Sequence, residues 1–170
     1  AILRQMHADG VDMSATNELG GTPAYGAASQ GLCTNLRLLH SWGANIGVCD
    51  SGGAPVHAAA RSGHATTVRT LHELGADIAV PDRDGDTAAH DAARGGHTEC
   101  LKMLHELGAS LSVTNRIGET PASHAANCGQ PAALQMIGSL GGDLTTPDEE
   151  NGLSPIHTAI ANGHARCVAE

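Results

Sequence analysis

Apolar side chains recur on a helical beat over short stretches of this chain and then give way to turn residues. Leu101, Leu104 and Leu107 stand three apart, as apolar positions do along one face of a helix. Ahead of them lies a shorter Ala-rich stretch, introduced in most copies by Thr or Ser followed by Pro and closed by Gly. A hydroxyl at that start accepts a bond from an orphan helix N–H, and Pro in the first turn forfeits none. The pattern predicts a short helix, a turn at Gly31, Gly63, Gly96, Gly129 or Gly163, and a second helix that also ends on Gly. Residues 77–85, rich in Asp, Pro and Gly, then predict a projecting hairpin-like loop.

The pattern repeats. LHELGA stands at 71–76 and again at 104–109, and Gly43-Ala44, Gly75-Ala76, Gly108-Ala109 and Gly141-Gly142 follow at steps of 32, 33 and 33 residues. The helix starts at Thr22-Pro23, Ala54-Pro55, Thr87-Ala88, Thr120-Pro121 and Ser154-Pro155 keep the same period. A fixed period of this size means two-helix units stacked in a row, each too small to bury its own apolar side. The expected organisation is one array: a partial unit at 1–16, full units at 17–49, 50–81, 82–114 and 115–147, and a truncated unit at 148–170.

These units resemble the ankyrin repeat, whose pattern runs D-x-x-G-x-T-P-L-H-x-A-A, then G-H, then L-L-x-x-G-A-D. APVHAAARSGH at 54–64 and SPIHTAIANGH at 154–164 are the closest matches. The resemblance covers essentially the whole chain and implies an all-α ankyrin-repeat solenoid with projecting hairpin-like loops. It also implies a scaffold or adaptor that holds other proteins and does no chemistry. Where the family usually has Leu after Pro, this chain has Ala24, Val56, Ala89, Ala122 and Ile156, so neighbouring first helices should approach closely. Ala54 lacks a capping hydroxyl and Ala88 replaces Pro, which predicts weaker starts for those two helices, by about 1 kcal/mol for a lost cap.

Composition narrows the function. The chain has 170 residues, no Phe, one Trp and one Tyr, so its core must be built from small aliphatic side chains. A formal charge of −9 argues against nucleic acid or an anionic membrane as the main partner. No apolar run approaches the roughly 20 residues that cross a bilayer. The five cysteines form no C-x-x-C, which points to an intracellular, reducing setting without distinguishing the compartment.

No nucleophile motif or phosphate loop is present, so no catalytic residue, cofactor or metal site is expected. Ten of the eleven His fall on three repeat positions: His57, His90 and His157; His64, His97 and His164; and His7, His40, His72 and His105. In the family that the chain resembles, the first two sets bond to neighbouring backbone and loops; the third is expected as partly buried packing. Asp82, Asp84, Asp86 and Asp91 cluster but lack the glycine spacing of a calcium loop, and read as a solvated acidic tip or a contact for a basic partner.

Function is expected at the loop tips and on the first helices, at positions that differ from unit to unit. These are Glu18, Leu19, Ser29, Gln30, Ser51, Arg61, Ser62, Arg83, Asp84, Asp86, Arg94, Arg116, Ile117, Glu119, Asn127, Glu149, Glu150 and Asn162. Trp42, the single large aromatic, reads either as part of an apolar stripe or as an exposed partner anchor. The expected ligand is a protein partner, with a basic patch as one form it takes. An alternative starts from the ends, where Ile2, Leu3 and Met6 and the stretch near Val168 lie in mid-unit; these end faces would contact further repeats or another subunit of a larger assembly. A metal protein or enzyme is the remote alternative.

Overall fold

A computed structural model of the chain describes residues 2–17, 21–48, 52–149 and 152–167. Helices α1 (Ile2–Ala8), α2 (Pro23–Ser29), α3 (Cys33–Ser41), α4 (Pro55–Arg61), α5 (Ala65–Glu73), α6 (Ala88–Arg94), α7 (Thr98–Glu106), α8 (Pro121–Asn127), α9 (Pro131–Ser139) and α10 (Pro155–Ala161) follow one another, and a 3₁₀ turn spans Ala165–Cys167. Among the described residues there is no β-strand. The helices pair as α2/α3, α4/α5, α6/α7 and α8/α9. The first helices α2, α4, α6, α8 and α10 pack on one another in one row, and the second helices α3, α5, α7 and α9 in another.

The core lies between the two rows. Leu36, Leu39, Val68, Leu71, Leu101, Leu104 and Ile137 from the second helices are buried against Ala27, Ala28, Ala59, Ala60, Ala92, Ala93, Ala125 and Ala126 of the first. Alanine contributes little area, but it brings helix backbones close enough for short polar side chains to reach from one unit to the next. At the positions after the first-helix Pro, Ala24, Val56, Ala89 and Ala122 are buried, whereas Ile156 of α10 is 49% exposed.

The two helix starts expected to be weak reach the same seven-residue length as their neighbours. The reason is the third helical residue. His57 reaches back so that its Nδ1 accepts the Ala54 N–H at 3.0 Å, and His90 Nδ1 accepts the Thr87 N–H at 3.0 Å. Each ring thereby satisfies a backbone donor that lies outside the helix ladder. Where that residue is Tyr25 or Ser123, the N-cap hydroxyl of Thr22 or Thr120 takes the helix N–H instead.

The third and fourth loops each close on an Asx side chain. Asp82 Oδ1 accepts the N–H groups of Asp84 and Asp86, and its own N–H donates to the Asp86 carbonyl at 2.8 Å. Asn115 repeats the motif with Ile117 and Glu119. In the longer last loop the corresponding backbone bond runs from Asp148 N–H to the Leu153 carbonyl, one residue further on. Successive tips also bond directly: Arg116 N–H donates to the Asp84 carbonyl at 3.0 Å and Glu149 N–H to the Ile117 carbonyl at 3.2 Å.

That approach leaves no room for a side chain at Gly85, where φ is +85° and an added Cβ would lie 2.8 Å from the Arg116 nitrogen. Replacing Gly85 with Ala should therefore cost more than the same change at Gly75, where φ is +88° but nothing lies within 4 Å. The Gly75→Ala cost is about 1–2 kcal/mol for the left-handed backbone alone, and Gly85→Ala should exceed it by at least about 1 kcal/mol. Urea unfolding of both variants checks this; equal losses would mean that the tips are not in close contact.

Candidate functional site

The loop tips adjoin the first-helix row, and their junction holds a polar network of buried carboxylates and imidazoles met by partly exposed arginines, running through the second, third and fourth units. It is built on two repeated positions. One, at the C-terminal end of the first helix, carries Ser29, Arg61, Arg94, Asn127 and Ala161; the other, the fourth helical residue, carries Gly26, Ala58, Asp91, His124 and Thr158. The repeat sets the first position of one unit against the second position of the next. Arg61 Nε and its NH2 nitrogen donate to the two oxygens of Asp91 at 3.0 and 3.1 Å. One unit further on, the NH2 nitrogen of Arg94 donates to His124 Nδ1 at 3.1 Å.

Asp86 joins these contacts to the loops. Only 4% exposed, it accepts Arg94 on Oδ2 at 2.6 Å and the Asn115 amide on Oδ1 at 2.8 Å. Burial alone would raise its pKa, but the Asn115 hydrogen bond, the adjoining His124 and His90 rings and Arg94 hold the carboxyl below the usual value. His124 Nδ1 accepts from Arg94, so its proton sits on Nε2, which donates to Glu119 Oε2 at 2.9 Å. The His90 ring meets His124 edge-on, with centroids 5.1 Å apart.

The repeated His rings fasten unit to unit. Nδ1 of His57 and His90 accepts from their own helix start, which places the proton on Nε2; that group donates to the Asp86 and Glu119 carbonyls of the next loop, both at 3.1 Å. His97 Nε2 and His164 Nε2 bond back to the Arg61 and Asn127 carbonyls of the preceding unit, at 3.0 and 3.1 Å. The third set differs from expectation: His40, His72 and His105 are exposed on the second helices rather than partly buried.

Of the residues expected to meet a partner, Glu18, Leu19, Ser51 and Glu150 lie outside the described residues, as do Val168 and the side chains of Ile2, Leu3 and Met6. Gln30, Ser62, Arg83, Asp84, Arg116, Ile117, Asn127, Glu149 and Asn162 are exposed, and Ser29 is half-buried. Arg61 and Arg94 are also exposed, but bond inward to Asp91 and Asp86; Asp86 is buried and Glu119 half-buried, and Asp86 faces inward because Arg94 and Asn115 draw it there. Asp91 is no loop acid; it lies buried on α6. Trp42 stands apart, at the end of α3, stacked on His7 with centroids 4.5 Å apart and packed against the core. His124 is the one histidine outside the three repeat sets, and the sequence pattern of the His positions does not include it. The signal for it lies in the register, since it stands 33 residues after Asp91 as Arg94 does after Arg61.

Above the network Arg61, Asp82, Arg83, Asp84, Asp86 and Arg94 line an open groove of about 450 Å³. Guanidinium and carboxylate groups line it. Among the described residues no helix is long and apolar enough to cross a membrane. A family model described as ankyrin repeats in many copies matches residues 56–105 and 89–137. The chain belongs to the ankyrin-repeat family. Among curated proteins, none matches it. Ankyrin repeats are in general protein-interaction modules and typically non-catalytic.

Two tests follow from the network of this ankyrin array. Burial, reinforced by the adjoining His124 ring, pushes His90 from 6.5 down to about 4. Between those values the unfolded chain binds a proton at residue 90 that the folded chain excludes, so stability falls as pH drops through this window, by about 3 kcal/mol in all. Thermal melts of His90→Gln, less stable at neutral pH, should show a flatter acid slope than wild type; an unchanged slope would clear His90. Arg61→Ala leaves the buried Asp91 with only Arg94 NH1 at 3.7 Å and should cost about 3 kcal/mol. Adding Asp91→Ala should recover much of that loss in urea unfolding, since Ala58 fills the same position one unit earlier. A double variant no more stable than Arg61→Ala would contradict the pairing.

Proposed function

We propose that this ankyrin-repeat chain is a non-catalytic scaffold that holds a protein partner across its loop tips and the exposed ends of its first helices. On this reading the units at 17–49, 50–81, 82–114 and 115–147 each contribute one tip and one helix end. The observation that carries it is a division of labour within the tips. Apart from that of Arg83, each backbone N–H of residues 82–86 and 115–119 is engaged within or between the loops. The side chains of Arg83, Asp84, Arg116 and Ile117 are exposed, and none belongs to the buried core. A rigid frame with unengaged side chains loses little conformational freedom when a partner lands on it. Asn127 and Asn162 continue the same face, joined by a hydrogen bond of 2.7 Å that Asn162 Nδ2 donates to Asn127 Oδ1.

Co-purification from the native source, followed by identification of the bound chain, supplies the partner for the test. Asn127→Trp and Asn162→Trp place bulk on this face and should weaken capture by about tenfold or more. Glu99→Lys and Lys102→Glu, both exposed on α7 of the second-helix row, should leave capture within about twofold. The reverse pattern would put the partner on the opposite side of the array.

A further inference from the structure

The exposed charge on the third and fourth tips, Arg83, Asp84 and Arg116, differs from what composition suggests. The chain has twice as many acidic as basic residues, 18 against 9. Yet Asp86, Asp91 and Glu119 are engaged by Arg94, Arg61 and His124, and Glu73 and Glu106 by Arg37 and Arg69. Arg83 and Arg116 make no ion pair with any described residue and are exposed. A solitary solvated arginine is ordinary. These two differ in being one repeat apart on roots that are tied together, since the Arg116 N–H donates to the carbonyl of Asp84, the residue next to Arg83.

An apolar side chain stands beside them. Ile117 is 46% exposed, while its N–H is held by Asn115 Oδ1 at 3.1 Å and its carbonyl by the Glu149 N–H at 3.2 Å. The groove adjoining Arg83 offers further donors, because Arg61 uses only Nε and one terminal nitrogen on Asp91 while its NH1 makes a long hydrogen bond of 3.5 Å to the Tyr25 hydroxyl. Asp84 is the one exposed carboxylate between the two free guanidinium groups, and it has no ion pair among the described residues.

We infer that the third and fourth tips form a clasp for a partner segment in which an Asp or Glu lies close to an aliphatic residue. Arg83 and Arg116 take the carboxylate and Ile117 takes the aliphatic side chain. The inference rests on the reading that this face holds a protein partner, and it gives that partner an acidic rather than a basic contact. Guanidinium groups suit it because they meet a carboxylate with paired N–H donors.

The test is selection of a phage library of random dodecamer peptides on the purified protein, followed by fluorescence anisotropy with the enriched peptides. Enriched sequences should pair Asp or Glu with Leu, Ile or Val. Their affinity should fall by about tenfold or more for Arg83→Glu/Arg116→Glu, fall several-fold for Ile117→Ser, and rise by about two- to threefold for Asp84→Asn. Thermal melts establish that these surface variants remain folded. Basic enriched peptides, or an Asp84→Asn change that weakens binding, overturn the clasp. Peptides blocked by Asn127→Trp but indifferent to the double arginine reversal sink the clasp and leave the partner-binding face standing. No enrichment, or binding indifferent to both, removes the two together.

Discussion

The imidazole of His57 takes an N–H from its own helix start on one nitrogen and gives the proton on the other to a carbonyl of the next loop. His90 does the same one unit later. A single neutral ring thus closes the end of one helix and fixes the distance to the following unit. The contact is possible only because the first helices present alanine to one another and lie close. In a stack whose members cannot bury their own apolar faces, these bonds set the geometry on which the tips and the network are hung.

Much of this was legible in the chain itself. The period, the helix pairs and the glycine turns follow from local rules, and the helix ranges observed start at the Pro or Ala that pattern reading picks out. What local rules could not supply was the direction in which a charged side chain points. Asp86 stands in an acidic run and reads as a tip residue, yet it turns inward because Arg94 from its own unit and Asn115 from the next converge on it. The capping loss expected at Ala54 was offset by His57, a residue three positions later whose ring reaches back to the helix start. Those outcomes depend on long-range partners, which appear only when residues one period apart are compared across neighbouring units.

Polar bonding is uneven along the array. Arg61 with Asp91, Arg94 with Asp86 and His124, and Asn115 with Asp86 gather in the junctions of the second, third and fourth units. Toward the first unit the corresponding contact is a 3.5 Å approach of Arg61 to Tyr25, and toward the last it is made by Asn127 and Asn162. These ion pairs add less stability than their Coulomb energy suggests, because each carboxylate is desolvated while its guanidinium stays partly in water. Their clearer effect is on arrangement, since each demands a particular neighbour.

That demand gives look-alike modules an order. The fourth helical residue runs Gly26, Ala58, Asp91, His124 and Thr158, and the buried Thr158 hydroxyl has no partner among the described residues. Were the third module transplanted beside the first, Asp91 would face Ser29 in place of a guanidinium and its carboxylate would keep only Arg94 NH1, at 3.7 Å. Shape would tolerate the shuffle; charge would not. The modules are therefore alike in outline but not interchangeable.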